Sequence, residues 1–196
     1  MGKGAETRER ILEHATRMAS RYGLSGLTVA GLAGELGLSK SGLFAHFGSK
    51  DALQIQVLES AVQHFRDIVV RPALKAPRGR PRLVALLERW LAWGNDASMP
   101  GGCLFVAAAI ELDDQPGAPR DFLVASQKEW IATLVKAAQL GVEVGHFRKD
   151  LDAEQMAFEL YGLLLGYQHR ARLLQDARAS AMIHTAFQRL LDAAAP

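Results

Sequence analysis

Along most of this chain apolar residues return every three or four positions, the spacing of one face of an α-helix. Ile11, Leu12, Ala15, Met18, Ala19 and Tyr22 form such a face, and Gly23 stands where that helix should end. Thr28 suits the cap of a second, short helix that buries Val29, Leu32, Ala33 and Leu36. Ser39 suits the cap of a third, which buries Leu43 and Phe47. Ser49 then starts a fourth, reaching about Val70, with Leu53, Val57, Ala61, Phe65 and Ile68 inward. Pro72, Pro77, Gly79 and Pro81, interleaved with Lys75, Arg78, Arg80 and Arg82, predict a basic break. Further helices are expected from Leu83 to Gly94, from Cys103 to Leu112, and from Arg120 to Leu140, the last ended by Gly141 and Gly145. Two more run from Asp152 to Leu174 and from Arg178 to Ala193. Alternation of period two never lasts beyond a few residues, so the fold class is all-α.

The second and third helices, joined by a tight turn at Gly37, have the layout of a DNA-reading helix-turn-helix. A helix that enters the major groove must present small or polar side chains to the base edges. Ser39, Lys40, Ser41, Gly42, Ala45 and His46 meet that demand. Thr28, at the start of the second helix, can offer a hydroxyl and a helix N-terminus to a phosphate, and Lys50 can reach another. The plainer alternative is a helical hairpin with capping serines.

Composition bounds this picture without deciding it. The chain has 196 residues, 49% hydrophobic and 22% charged, as expected of a globular protein with a sizeable core. No apolar run approaches the ~20 residues of a membrane span, and the charged start Met1-Gly2-Lys3-Gly4-Ala5-Glu6 is unlike a signal peptide. Cys103 is the sole cysteine, so no internal disulfide can form, and a cytoplasmic protein is expected. The net charge of +2 is not itself an argument for nucleic acid, but residues 1–50 carry net +3 and residues 51–196 net −1. A mildly basic head on a near-neutral body fits phosphate contact by the head alone.

Residues 8 to 53 resemble the DNA-binding domain of the tetracycline-repressor (TetR) family. The likeness rests on Arg10-Ile11-Leu12, Ala15, Tyr22-Gly23, Thr28-Val29, Ala33, Gly37-Leu38-Ser39-Lys40, Leu43-Phe44-Ala45-His46-Phe47 and Ser49-Lys50-Asp51-Ala52-Leu53. It implies a three-helix DNA-binding domain over residues 1–50 and a helical effector-binding and dimerisation domain over 51–196. The implied function is a transcriptional regulator, most simply a repressor released from a double-stranded operator by a small, largely apolar molecule. Phe44 and Ala45 stand where family members often carry two tyrosines, so phosphate contacts must come from Lys40, Ser41, Lys50 and an arm of Lys3, Arg8 and Arg10. No enzymatic activity, cofactor, metal or membrane partner is implied.

In the body, the helix from Asp152 to Leu174 is apolar on most sides, and a second copy of the chain is the simplest partner for the excess. Leu160, Leu164 and Tyr167, with Ile183, Phe187 and Leu190 of the last helix, are the expected dimerisation residues, forming a four-helix bundle as the family does. Phe65, Trp90, Trp93, Met99, Cys103, Phe105, Trp130 and Tyr161 could line an effector pocket, with Gln127, Glu111 and His169 as polar handles. The same residues also suit an ordinary packed core, and Cys103 reads as a small buried hydrophobe. Two rival functions remain. Glu143-Val144-Gly145-His146 has the Glu-x-x-His spacing of di-iron bundles, which need two such motifs. A helical interaction module that has lost DNA binding is the other. No Gly-x-Ser-x-Gly supports a hydrolase.

Overall fold

The computed structural model describes residues 3–196, and their side chains except those of residues 3–5 and Phe44. The elements are α1 (Lys3–Gly26), α2 (Val29–Leu36), α3 (Lys40–Phe47), α4 (Lys50–Phe65), α5 (Arg71–Leu74), α6 (Arg80–Trp93), α7 (Leu104–Leu112), α8 (Ala118–Glu143), α9 (Ala153–Gln168) and α10 (Ala179–Ala193). π-helical turns at Arg66–Val70 and His169–Leu173 follow α4 and α9. No strand occurs among the described residues, and none of their helices is long and apolar enough to cross a membrane.

Two expected boundaries move for identifiable reasons. The fourth helix does not stop near Val70 but continues through its π turn into α5. Pro72 is the cause: it has no N–H, and in a regular helix its ring would strike the carbonyl of Ile68. The wider π turn accommodates it and slips the inward face by one position, so Val69 and Ala73 are buried and Ile68 only half-buried. An Arg71–Asp67 ion pair spans the same turn. Pro81 likewise sits in the first turn of α6, where a missing N–H costs nothing. The true break is thus residues 75–79, and Arg82 closes it by donating to the carbonyls of Leu74 and Ala76 at 3.1 and 2.9 Å. α8 passes through Gly141 and ends at Glu143.

The chain divides into two compact units, Met1–Phe65 with Asn95–Ser126, and Arg66–Gly94 with Gln127–Pro196. In the first unit α1 packs on α2, α4 and α7, and Ile11, Ala15, Leu43, Leu53, Val57, Leu58 and Leu104 share its core. α4 therefore belongs with the head, because its apolar stripe is needed to bury α1.

In the second unit α5 packs on α6, and α9 on α10. Asp152 starts α9 by accepting the amides of Glu154 and Gln155, both at 3.0 Å. Four residues expected at a dimer face are instead inside this unit: Leu160 and Leu164 are 1% exposed, Ile183 and Phe187 4%. Burial of each such side chain contributes ~1.5–3 kcal/mol to the fold of the single chain. Tyr167 and Leu190 are half-buried. The apolar surface left open on these helices comes from Phe158 (72% exposed), Leu165 (38%) and Met182 (43%).

Candidate nucleic-acid interface

Three successive helices of the head begin on a hydroxyl. Thr28 Oγ1 accepts the amide of Gly31, Ser39 Oγ that of Gly42 and Ser49 Oγ that of Ala52, each at 3.0 Å. Each cap satisfies one orphan donor of a helix start, and this matters most for α2 and α3, which have only eight residues apiece. A cap uses a lone pair of the oxygen and leaves the O–H free to donate outward. Between the two helices Gly37 adopts φ 63°, ψ 28°, a left-handed conformation that a side chain would strain. The amide of Leu38 then bonds to the carbonyl of Ala33 at 2.9 Å, closing α2 and turning the chain into α3.

α3 buries Leu43 and Phe47, which leaves the opposite side to solvent. Thr28, Ser39, Lys40, Ser41, Gly42, Ala45 and Lys50 are exposed, and His46 is half-buried with its ring 6.2 Å from that of Phe47. Phe44 lies outside the described side chains. The Ser39 and Ser41 hydroxyls stand 3.3 Å apart. From Ser39 to Lys50 the chain contains no carboxylate, while Lys40 and Lys50 supply two cations. Glu35, the acid preceding this stretch, is tied to His14 of α1 at 2.6 Å. Such a surface can donate hydrogen bonds to phosphates and approach base edges closely. Of the basic arm, Arg8 is already engaged, donating to Gln56 of α4 at 2.6 Å, whereas Arg10 is exposed. The side chain of Lys3 is outside the described set.

The expected pocket residues fall into both units. In the first, Phe65 and Phe105 meet edge to face at 5.7 Å, and Met99 and Cys103 are buried. In the second, Trp90 and Trp93 are buried, with the Trp90 ring edge-on to Tyr167 at 6.3 Å. Trp130 is buried too, and the Tyr161 hydroxyl donates to Gln127 Oε1 at 3.1 Å. Two open clefts of the second unit are lined by other side chains. One, about 500 Å³, lies beside Val84, Glu88, His184 and Gln188; the other, about 440 Å³, lies beside Leu74, Glu129, Thr133 and Lys136. Two polar handles behave otherwise than expected. His169 is exposed, and Glu111 accepts backbone amides at the end of α1. Glu143 closes α8 and pairs with Lys136 at 3.7 Å, while His146 follows the Gly145 turn, so the Glu-x-x-His residues do not share a helix face.

Gln54 escaped the sequence reading. It sits at an inward position of α4, 6% exposed, and donates to the Leu24 carbonyl at 2.9 Å. A polar residue inside an apolar stripe was the available signal.

A capped helix-turn-helix whose second helix carries no carboxylate, on an all-helical chain, defines a DNA-binding transcriptional regulator. Comparison with known proteins agrees. Residues 11–57 match the family model described as bacterial regulatory proteins of the tetR family, and residues 79–187 match the tetracyclin repressor-like C-terminal domain. The second match spans more than half of the sequence, and the chain belongs to the TetR family of regulators. It is 26% identical over 152 residues to the HTH-type transcriptional repressor DhaR of Mycobacterium sp. (strain GP1), covering 76% of this chain and 74% of that one. A TetR transcriptional regulator from Chloroflexus aurantiacus superposes with a TM-score of 0.86 at 26% identity, covering 98% of this chain and 96% of the other. A transcriptional regulator from Saccharomonospora viridis, solved in complex with choline, gives 0.78 at 25% identity over 94% and 95%.

Proposed function

We propose that this regulator is a homodimeric repressor that leaves its operator when a small, largely apolar molecule binds the body, and that it works in the cytoplasm. The observation that carries the reading is the exposed side of α3. Ser39, Lys40, Ser41, Gly42 and Ala45 would face base edges, with Thr28, His46 and Lys50 on phosphates. Two copies of α3 would enter successive major grooves about 34–36 Å apart, reading a near-palindromic operator. The dimer would be closed through the open apolar side chains Phe158, Leu165 and Met182, which a second copy would bury. The name of the DhaR relative supports repression, and the choline complex of the Saccharomonospora protein supports a small organic effector. The aromatic clusters around Phe105 and around Trp90 are the places to seek it. To move operator occupancy from 1:99 to 99:1 the effector must prefer the released state by about 5.5 kcal/mol.

The experiment is selection of duplexes from random DNA by the purified chain, followed by gel shifts at rising salt and in the presence of a library of small effectors. Paired half-sites with salt-dependent affinity are expected. No bound duplex at low ionic strength, or a strictly monomeric protein, refutes the proposal.

A further inference from the structure

Leu24 lies in the last turn of α1, just past a kink at Gly23, and is wholly buried. Its peptide group is held from two sides. The carbonyl accepts from Gln54 of α4, as described, and also from the amide of Leu27 at 3.2 Å, which closes the turn one residue before the Thr28 cap. The Leu24 amide donates to Glu111 Oε1 of α7 at 3.1 Å, and the Ser25 amide to Glu111 Oε2 at 2.7 Å. Gly23, at φ 77° and ψ 170°, directs the chain so that these neighbouring amides face one way, a concavity that suits an anion. The Glu111 carboxylate fills it; a Cβ on Gly23 would fall 1.9 Å from Oε1. Glu111 is the one charged residue between Cys103 and Leu112.

A second seam joins the same elements. The Gly101 amide, in the turn before α7, donates to Ser20 Oγ of α1 at 3.1 Å. The approach there is so close that a Cβ on Gly101 would lie 1.5 Å from the Ser20 carbonyl oxygen. Ser20 is 4% exposed and donates in turn to the Arg17 carbonyl at 2.9 Å. The end of α1 is therefore clipped to α7 by two charge-assisted hydrogen bonds and to the turn before α7 by a third.

We propose that Glu111 is a positioning residue for DNA reading. Acting through the Leu24 and Ser25 amides, opposite Gln54, it sets the direction in which α2 and α3 leave α1. In a dimer that direction fixes the separation of the two reading helices, so Glu111 governs how strictly the regulator measures half-site spacing. This rests on the dimeric operator-binding reading above.

The test measures spacing preference. A duplex selected from random DNA by the wild-type chain is remade with one base pair added or removed between its half-sites, a change of about a tenth of a helical turn. Affinities for the three duplexes are measured with wild type, Glu111→Ala, Glu111→Gln and Gly101→Ala. The preference for the selected spacing is expected to fall about tenfold in Glu111→Ala, the scale of a hydrogen bond to a charged group. Glu111→Gln keeps one acceptor oxygen and should recover part of it, and Gly101→Ala should reproduce the loss. A variant that merely folds less well loses active protein equally for all three duplexes, and its ratio does not move. An unchanged ratio in Glu111→Ala overturns the proposal and leaves the regulator reading intact. A wild-type chain that selects no paired half-sites overturns both.

Discussion

The reading helix α3 and the last helix α10 each bury one side, yet their open sides carry different kinds of residue. α3 has eight residues and buries two of its described side chains, Leu43 and Phe47; its exposed described residues, Lys40, Ser41, Gly42 and Ala45, are small or cationic. α10 has fifteen residues and buries every fourth one, Ala179, Ile183, Phe187 and Leu191. Its open side mixes Met182, His184, Gln188 and Arg189. Beyond the Ser39 cap, packing offers no reason for Ser41 and Gly42 in the first turn of a short helix, so in α3 the residue types themselves point to a site. In α10 the apolar stripe is what any core helix carries, and its pattern does not say whether the chain itself or a second copy covers it.

The largest effects test that second point. Phe187→Ala should lower the unfolding free energy by about 3–5 kcal/mol in urea titrations, the range for a buried aromatic. Phe158→Glu, on the open face of α9, should leave the helical content intact and convert dimer to monomer in sedimentation. A Phe158→Glu protein that stays dimeric places the interface elsewhere. Lys50→Ala should act only on DNA. Removing one phosphate contact flattens the slope of log affinity against log salt by about 0.9, and weakens every duplex alike. A loss confined to one sequence would make Lys50 a base reader instead.

This contrast also explains what was legible. The caps at Thr28, Ser39, Ser49 and Asp152 were readable because a hydroxyl or carboxylate before an apolar period has a local job, and local jobs leave local patterns. The path of α4 beyond Phe65 has no such local pattern, because its π turn answers to Pro72, several residues downstream. For Leu160, Leu164, Ile183 and Phe187 periodicity marks burial without naming what buries them. Glu111 and Gln54 were beyond reach for a different reason. Their partners are backbone groups of Leu24 and Ser25, and a backbone amide has no letter in the sequence. The effector residues share the difficulty of α10: Trp90, Phe105 and Trp130 suit a core and a pocket equally well.

A smaller effect sharpens the reading of the head. Thr28→Ala removes the α2 cap and should destabilise the protein by about 1 kcal/mol. If the hydroxyl also donates to a phosphate, operator affinity falls by more than the loss of folded protein accounts for. Thr28→Ser keeps both interactions and should restore both readouts.

The smallest effect lies on the open side of α10, where polar groups bind the subunit's own atoms. His184 Nδ1 lies 2.7 Å from the Ser180 carbonyl oxygen, and Nε2 lies 2.8 Å from Glu88 Oε1 of α6. Both partners only accept, so a neutral ring can donate to one of them and the imidazolium to both. The Ser180 carbonyl raises the pKa of His184 above the usual histidine value; burial opposes this, and the Glu88 carboxylate adds to the rise. The folded protein holds this proton more tightly than the unfolded chain. The resulting stabilisation is complete below the unfolded pKa of about 6.5 and is lost as pH rises through the raised folded value. With the side chain 44% exposed, solvent screening keeps it small. Urea midpoints at about pH 5.5 and about pH 8.5 should therefore differ slightly more in wild type than in His184→Gln, and the ring should titrate above free histidine by NMR. A ring that titrates at or below the free value would mean that Glu88 is turned away in solution, and that this side of α10 is as open to a partner as the exposed side of α3.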